Sequence, residues 1–307
     1  MSHFTVLVVG DDPEAQLGPF HEFECTGEND KYVQDVDITA KVQARVDKYL
    51  SEGKTQGRAL RDALEYHGLG EKIVTSEVNA DCNGDDSVHK YGYAVVRDDK
   101  LIRAVDRTNP NAKWDWYQLG GRWTGFFYIK DDVTSGITGK CGLMTPAAEP
   151  GTADACYKRD IDFTKMQDYA RDKATADYRH FATITKDLPI PQSWETIRAQ
   201  YPDGDNRAGP IYNAQPMVAA IRKDHDLMFY DYEDFGPSEE HYVARAVRNC
   251  ISTHAVIKDG KWYEKGGMGW WGIVMDEKEP DRWSEEFAKL LEDVSDDTLL
   301  SVYDCHI

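Results

Sequence analysis

The chain opens on an apolar run, Phe4-Thr5-Val6-Leu7-Val8-Val9, closed by Gly10 and the turn residues Asp11-Asp12-Pro13. That pattern predicts a buried strand followed by a turn or a short helix start. Apolar residues at helical spacing follow. Val42, Val46, Tyr49 and Leu50 share one face of a helix over 39–50 that Thr39 is placed to cap. Leu60, Leu64 and His67 share a face of a second helix near 56–67, with Gly68 as its stop. Helical periodicity returns near 163–183 and 239–250. It returns again after Pro280, where Ser284 is the expected cap, Glu285 and Glu286 suit the positive helix end, and Phe287, Leu290, Leu291 and Val294 form the buried stripe. Residues 298–305 read as a closing strand.

Two segments alternate like hairpins. Tyr93-Ala94-Val95-Val96 turns at Arg97-Asp98-Asp99-Lys100 into Leu101-Ile102-Arg103-Ala104-Val105, and His254-Ala255-Val256-Ile257 turns at Lys258-Asp259-Gly260-Lys261 into Trp262-Tyr263. The Asp-Gly pair is the strongest short hairpin signal. Each hairpin precedes a G-x-x-W-x-G segment with two apolar residues after it: Gly120-Gly121-Arg122-Trp123-Thr124-Gly125-Phe126-Phe127 and Gly267-Met268-Gly269-Trp270-Trp271-Gly272-Ile273-Val274. The ordered double match predicts two diverged copies of one β-hairpin/GxxWxG unit; chance likeness between hairpins is the alternative. The fold class expected is α+β, an antiparallel or mixed sheet with helices packed on one face. Its body is placed at 1–130 and 245–307, with 131–244 an inserted helical and loop region whose first part, 131–160, is an exposed excursion rich in Thr, Ser, Gly, Ala and Pro.

Charge and composition narrow the function classes. The formal net charge is −19 over 307 residues, and hydrophobic residues make up 41%, enough for a real core. Such a field repels phosphate backbones, so direct nucleic-acid binding is disfavoured, while a basic protein surface is attracted. No apolar run nears the ~20 residues of a membrane helix, and the start lacks the basic residues and long apolar stretch of a signal peptide. A cytoplasmic protein is expected. The cysteines Cys25, Cys82, Cys141, Cys156, Cys250 and Cys305 form no C-x-x-C pair. Free thiols are favoured over disulfides, and a cysteine-paired zinc site is not expected.

Several residue groups carry possible chemistry. Gly267-Met268-Gly269-Trp270-Trp271-Gly272 satisfies G-x-G-x-x-G, but a strand pattern follows where a dinucleotide site needs a helix, so the glycines are read as bending a strand beside large rings. No Walker A lysine, H-E-x-x-H or G-x-S-x-G motif occurs, and no cofactor is implied. Asp81, Asn83, Asp85 and Asp86 are spaced somewhat like a calcium loop, but the glycine is at the wrong position and the twelfth residue is Gly92, so a solvated loop is favoured. Trp114, Asp115, Trp116, Arg122 and Trp123, with Trp270 and Trp271 as counterparts, are candidates for a stacking wall with an arginine clamp for an anion; packing between two halves of the core is the alternative. His21 and Glu24, in the segment ending at Cys25, together with Asp304 and His306 are acid–base or metal candidates if the terminal strands are neighbours. Tyr230, Asp231, Tyr232, Glu233 and Asp234 interleave rings and acids, as a partner surface imitating phosphates or as a plain acidic surface.

The opening His3-Phe4-Thr5-Val6-Leu7-Val8-Val9-Gly10, the segment His21-Glu22-Phe23-Glu24-Cys25-Thr26-Gly27, Lys113-Trp114-Asp115-Trp116 with Gly120-Gly121-Arg122-Trp123, and the ending Asp304-Cys305-His306-Ile307 resemble a family of uncharacterised bacteriophage-encoded proteins. The resemblance covers both ends and the first tryptophan segment and carries no catalytic roles. It implies a phage accessory protein acting in the bacterial cytoplasm. With the acidic charge, it leads to the expectation of a protein that binds and modulates or inhibits a host protein, such as one of antiviral defence. The other expectation is an enzyme or sequestering protein for a nucleotide-like small molecule, using the aromatic and arginine residues as its pocket.

Overall fold

The computed structural model describes residues 2–24, 30–77, 80, 87–143, 145–201, 206–269 and 272–307. The calcium-like loop at Asp81–Asp86, Cys25, Cys82, Trp270 and Trp271 lie outside the described residues.

Strand β1 (His3–Val9) and the short helix α1 (Pro13–Leu17) lead into β2 (Gln34–Asp37), helices α2 (Thr39–Ser51) and α3 (Gln56–Tyr66), β3 (Ile73–Val74) and the hairpin β4 (Gly92–Arg97)–β5 (Lys100–Thr108). Strands β6 (Trp116–Gly121), β7 (Phe127–Tyr128), β8 (Lys140–Cys141), β9 (Thr152–Ala153) and β10 (Ala155–Tyr157) follow. Helices α4 (Phe163–Ile184), α5 (Trp194–Arg198), α6 (Ala208–Asn213), α7 (Pro216–Lys223) and α8 (Glu239–Arg248) come next. The chain ends with β11 (Ala255–Lys258), β12 (Lys261–Glu264), β13 (Gly267–Met268), β14 (Val274–Met275), α9 (Pro280–Glu292) and β15 (Leu299–His306).

The fold is α+β. Its main sheet runs β12-β11-β1-β15-β6-β8, with β10 also on β15. The two terminal strands pair antiparallel from His3↔His306 to Val9↔Leu300, and β11 runs parallel to β1 on the other side. Helices were expected on one face only; in fact both faces of the central strands are covered. Leu7, Val9, Leu300 and Val302 pack with Trp283, Phe287 and Leu291 of α9. Phe4, Val6, Val8, Tyr303 and Cys305 pack with Leu17, Phe20 and Trp114. The unbroken apolar run of β1 is the signature of a strand buried on two sides, and each such side chain contributes roughly 1.5–3 kcal/mol of transfer free energy.

The hairpins do not share a sheet. β11–β12 joins the main sheet through β1, whereas β4–β5 lies in a separate four-stranded sheet ordered β2-β5-β4-β3. The reason is local closure: Ala94 and Ala104 are fully buried against Val42, Val46, Leu60 and Leu64 of α2 and α3, so neighbouring segments occupy both edges of the hairpin. Both hairpins turn through aspartates of positive φ, Asp98 and Asp99 in one, Asp259 with Gly260 in the other, as a two-residue hairpin loop requires. Thr39 does not cap α2; its hydroxyl accepts the Ala104 N–H at 2.8 Å and fastens the helix to β5. Pro280 is the first residue of α9, and Ser284 is buried inside the helix, bonded to Arg248 Nε at 2.8 Å.

The segment 131–152 is mostly exposed, as expected, but 131–160 is not detached from the body. β8 pairs with β6, and β10 pairs with β15. The fastening is Asp154, fully buried, whose Oδ1 accepts the N–H groups of Gly125 (2.6 Å) and Phe126 (3.2 Å) and whose Oδ2 accepts Gly139 N–H (2.8 Å) and the Thr124 hydroxyl (3.0 Å). Gly120 and Gly121 have φ of 73° and 56°, and a Cβ on either would lie 2.3 Å from an atom of Asp154 or Asp304, respectively. Only glycine fits there, in conformation and in space. Helices α4, α7 and α8 form their own core, where Phe181 stacks on Phe235 with ring centres 3.9 Å apart, and α5 and α6 pack in a smaller cluster with Val218 of α7.

Since every partner of Asp154 donates, Asp154→Ala strands those donors and Asp154→Asn turns an NH2 toward two of them. Both substitutions are expected to cost about 3–5 kcal/mol in urea unfolding; a loss under about 1 kcal/mol would show that this carboxylate is not the fastening.

Candidate functional site

Pairing of the terminal strands sets the site. Along β15 alternate residues face opposite sides, so Asp304 and His306 share a side with His3 and Thr5 of β1, while Cys305 turns to the other side beside Phe4. The apolar stripe of that side, Leu7, Val9, Leu300 and Val302, gives way to polar residues at the strand end. His3 Nδ1 lies 2.7 Å from Asp304 Oδ1, and His306 Nδ1 lies 2.6 Å from Asp115 Oδ1. Asp304 is 1% exposed, and its second oxygen accepts the Arg122 backbone N–H at 2.9 Å. The two imidazoles meet edge to face with centres 4.9 Å apart, and Trp116 lies 6.2 Å from His3.

The sequence candidates divide around this point. Asp304 and His306 are in it, joined by His3 and Asp115. Cys305 is fully buried on the opposite face and is not part of the polar group. Trp114 is 3% exposed, donates its indole N–H to Leu17 O at 3.2 Å and lies against His21. It is core and offers no face to a ligand. His21 is buried beside it, with Nε2 4.0 Å from Glu24. Burial, then the neighbouring Asp115, push the Glu22 carboxyl upward. Trp116 is 47% exposed, and Trp123 is half-buried. Ser2 grips the flanks of the second glycine-tryptophan segment, donating to Gly269 O at 2.6 Å and accepting Gly272 N–H at 2.7 Å.

The Arg122 N–H holds Asp304, but its guanidinium has no hydrogen-bond or ion-pair partner among the described residues. Arg122 is one of the residues lining an open cavity of about 740 Å³ between the Gly120–Gly125 turn and helices α4 and α8, whose charged lining also includes Glu149, Lys173 and Asp177. Phe126, Tyr128, Tyr169 and Tyr230 supply aromatic wall to the same cavity.

The acidic stretch 230–234 lies between this cavity and a second one of about 930 Å³ on the far side, which Asp231, Glu233 and Asp234 line. Its carboxylates are in use: Asp231 pairs with Arg222, Glu233 accepts the Tyr212 hydroxyl (2.7 Å) and Trp194 N–H (3.1 Å), and Asp234 closes a capping box with Asp231. A comb of free carboxylates is therefore not what this segment presents.

Three residues were missed in the sequence reading: His3, Asp154 and His180. His3 was read as part of a strand, and its partner is 301 residues away. His180, Asp224 and Asp226 bring possible metal-ligand atoms within 4.8 Å of one another. Asp224, however, is engaged by His180 at 2.9 Å and by the N–H groups of Asp226 and Leu227, as the cap of a surface turn. Among the described residues no helix is long and apolar enough to cross a membrane.

Comparison with protein-family models, curated proteins and solved structures returns no match for this chain.

Thiol chemistry gives a direct check on the burial described here. Burial, with Asp160 adding to it, pushes the Cys156 thiol up to about 12, and burial raises Cys305 well above its ordinary value, whereas Cys141 is exposed. Iodoacetamide at pH 8 is expected to modify Cys141 in the native protein and to spare Cys156 and Cys305 until it unfolds, as read by peptide mass spectrometry. Labelling of Cys156 at the rate of Cys141 would contradict the packing.

Proposed function

We propose that this chain binds a small, ring-bearing anion of nucleotide type in the cavity beside Arg122, to sequester or transform it. The observation that carries the reading is an unpaired guanidinium at the wall of an aromatic-lined cavity of about 740 Å³. That size suits a small ligand. Tyrosine and phenylalanine rings provide stacking surface, and a guanidinium free of internal partners is available for a phosphate or carboxylate. The negative field of the chain disfavours a polyanion and leaves a small anion as the better fit; of the two cations lining the cavity Lys173 is taken up by Asp177, so Arg122 is the one left to hold it, with the Glu149 carboxylate also in the wall. The cavity relocates the pocket envisaged from the sequence: Arg122 remains its clamp, while Trp114 is replaced by Phe126, Tyr128, Tyr169 and Tyr230 as the stacking wall.

A second reading has its own support. The net charge of −19 and the phage-like sequence segments favour an accessory protein that engages a basic surface of a host protein in the bacterial cytoplasm and modulates or inhibits it. Carboxylates along α9 and its flanks, Asp276, Glu285, Glu292, Asp293 and Asp296, without an ion-pair partner among the described residues, are the surface that suits it. The diverged-unit idea stands as a proposal only, resting on the ordered sequence match, since the two hairpins lie in different sheets.

A thermal-shift series with nucleoside mono-, di- and triphosphates, cyclic nucleotides and dinucleotides tests the first reading. A ligand at ~100 times its dissociation constant adds ~2.7 kcal/mol of stability, and Arg122→Gln should weaken its binding about tenfold or more, the loss of one charge-assisted contact. No stabilisation by any of them would remove the reading. For the second, a host protein retained by the immobilised chain at low salt should be released as ionic strength rises, and retention indifferent to salt would exclude an acidic docking surface.

A further inference from the structure

The polar end of the terminal strands has a feature that ligand binding at the Arg122 cavity does not use. Two histidines are each held through Nδ1 by a carboxylate, His3 by Asp304 and His306 by Asp115. A carboxylate at Nδ1 favours the tautomer that leaves the Nε2 lone pair free. Neither Nε2 has a partner among the described residues, and neither belongs to the buried unsatisfied atoms, so both reach solvent. No lysine or arginine side chain among the described residues pairs with Asp304 or Asp115. Two carboxylates and two imidazoles are thus gathered without a cation to balance them.

Carboxylate–imidazole pairs of this kind are the outer shell of metal-bound histidines, where the carboxylate fixes the tautomer and makes the free nitrogen a stronger donor. The spacing agrees. Two imidazoles bound through Nε2 to one tetrahedral ion, at Zn–N distances of about 2.0–2.1 Å, hold their ring centres about 5 Å apart; here the centres are 4.9 Å apart, with planes at 72°.

We propose that His3 and His306 bind one divalent transition-metal ion of the zinc class through their Nε2 atoms, with Asp304 and Asp115 as the positioning carboxylates. Imidazole donors select zinc, nickel, cobalt or copper over calcium and magnesium. Two protein ligands, one fewer than catalytic zinc sites have, leave the remaining positions to water or to a ligand atom. Trp116, half-exposed beside His3, forms an apolar wall next to those positions. The Arg122 N–H on Asp304 ties the site to the same turn as the cavity, but the Arg122 guanidinium takes no part in holding the metal.

Calorimetric titration of the full chain with zinc chloride tests the proposal. One saturable equivalent is expected that His3→Ala and His306→Ala each remove or weaken at least about 100-fold, and that Asp304→Asn weakens about 10–100-fold through the outer shell. His180→Ala, which alters the other group of potential ligands, should leave that equivalent unchanged. Because His3, Asp304 and His306 all sit in central strands, the milder variant His3→Gln is measured in parallel, with circular dichroism confirming the native fold. Zinc should raise the melting temperature of the parent chain and not that of His3→Gln. The proposal is overturned by absence of saturable binding, by binding that both histidine variants leave intact, or by binding lost in His180→Ala.

Discussion

The antiparallel union of the first and last strands is the constraint on which the rest of the structure depends. β1 and β15 pair over seven residue positions, from His3↔His306 to Val9↔Leu300, and both are buried on two faces. A strand buried on both sides has no solvent to satisfy a polar side chain, so a polar residue in it is costly unless it finds a protein partner or sits at the end; Ser301 of β15, whose fully buried Oγ has no partner among the described residues, carries that cost. Asp304 is the test of that rule. It is almost wholly buried, and it is tolerated because His3 meets one oxygen and the Arg122 N–H meets the other.

The same requirement shapes the turn that follows β6. Two buried carboxylates, Asp154 and Asp304, press against Gly120 and Gly121 so closely that no side chain could stand there. Backbone N–H groups of the turn meet both of them, with His3 completing Asp304 and the Thr124 hydroxyl and Gly139 N–H completing Asp154. The turn is thereby fixed between the sheet and the helical region, with the Arg122 backbone tied to the strands and its side chain lining the cavity. The polar strand end and the cavity are consequently two uses of one turn, and substitutions at Gly121 bear on both.

Much of this was legible in the sequence where the cause is local. The apolar run Phe4–Val9, the helical stripe Val42-Val46-Tyr49, the Asp259-Gly260 hairpin and the closing strand depend on neighbours in the chain, and the elements form where their patterns place them. What was not legible depends on partners far away. The hairpins 92–108 and 255–264 look alike, but the edges available to each are decided by α2, α3, β2 and β3 in one case and by β1 in the other. β8 and β10 are two and three residues long, too short for alternation to show, and are held by the carboxylate of Asp154 rather than by an apolar pattern. Of the site, Asp304, His306 and Arg122 stood out by composition and position. His3 did not, since its meaning comes only from the strand opposite, and Trp114 misled because a tryptophan beside a charged residue reads the same in a core as in a pocket.

The most direct measurement of the central claim, that strand pairing orients His3 and His306 through Asp304 and Asp115, is the tautomeric state of the two rings. Long-range proton–nitrogen correlation in 15N-histidine-labelled protein, at a pH where the imidazoles are neutral and without added metal, reads it for each ring. The account predicts the proton on Nδ1 and the lone pair on Nε2 in both, with His3 reverting toward the free-solution mixture in Asp304→Ala. Protons found on Nε2, or an averaged mixture already present in the parent chain, would contradict it.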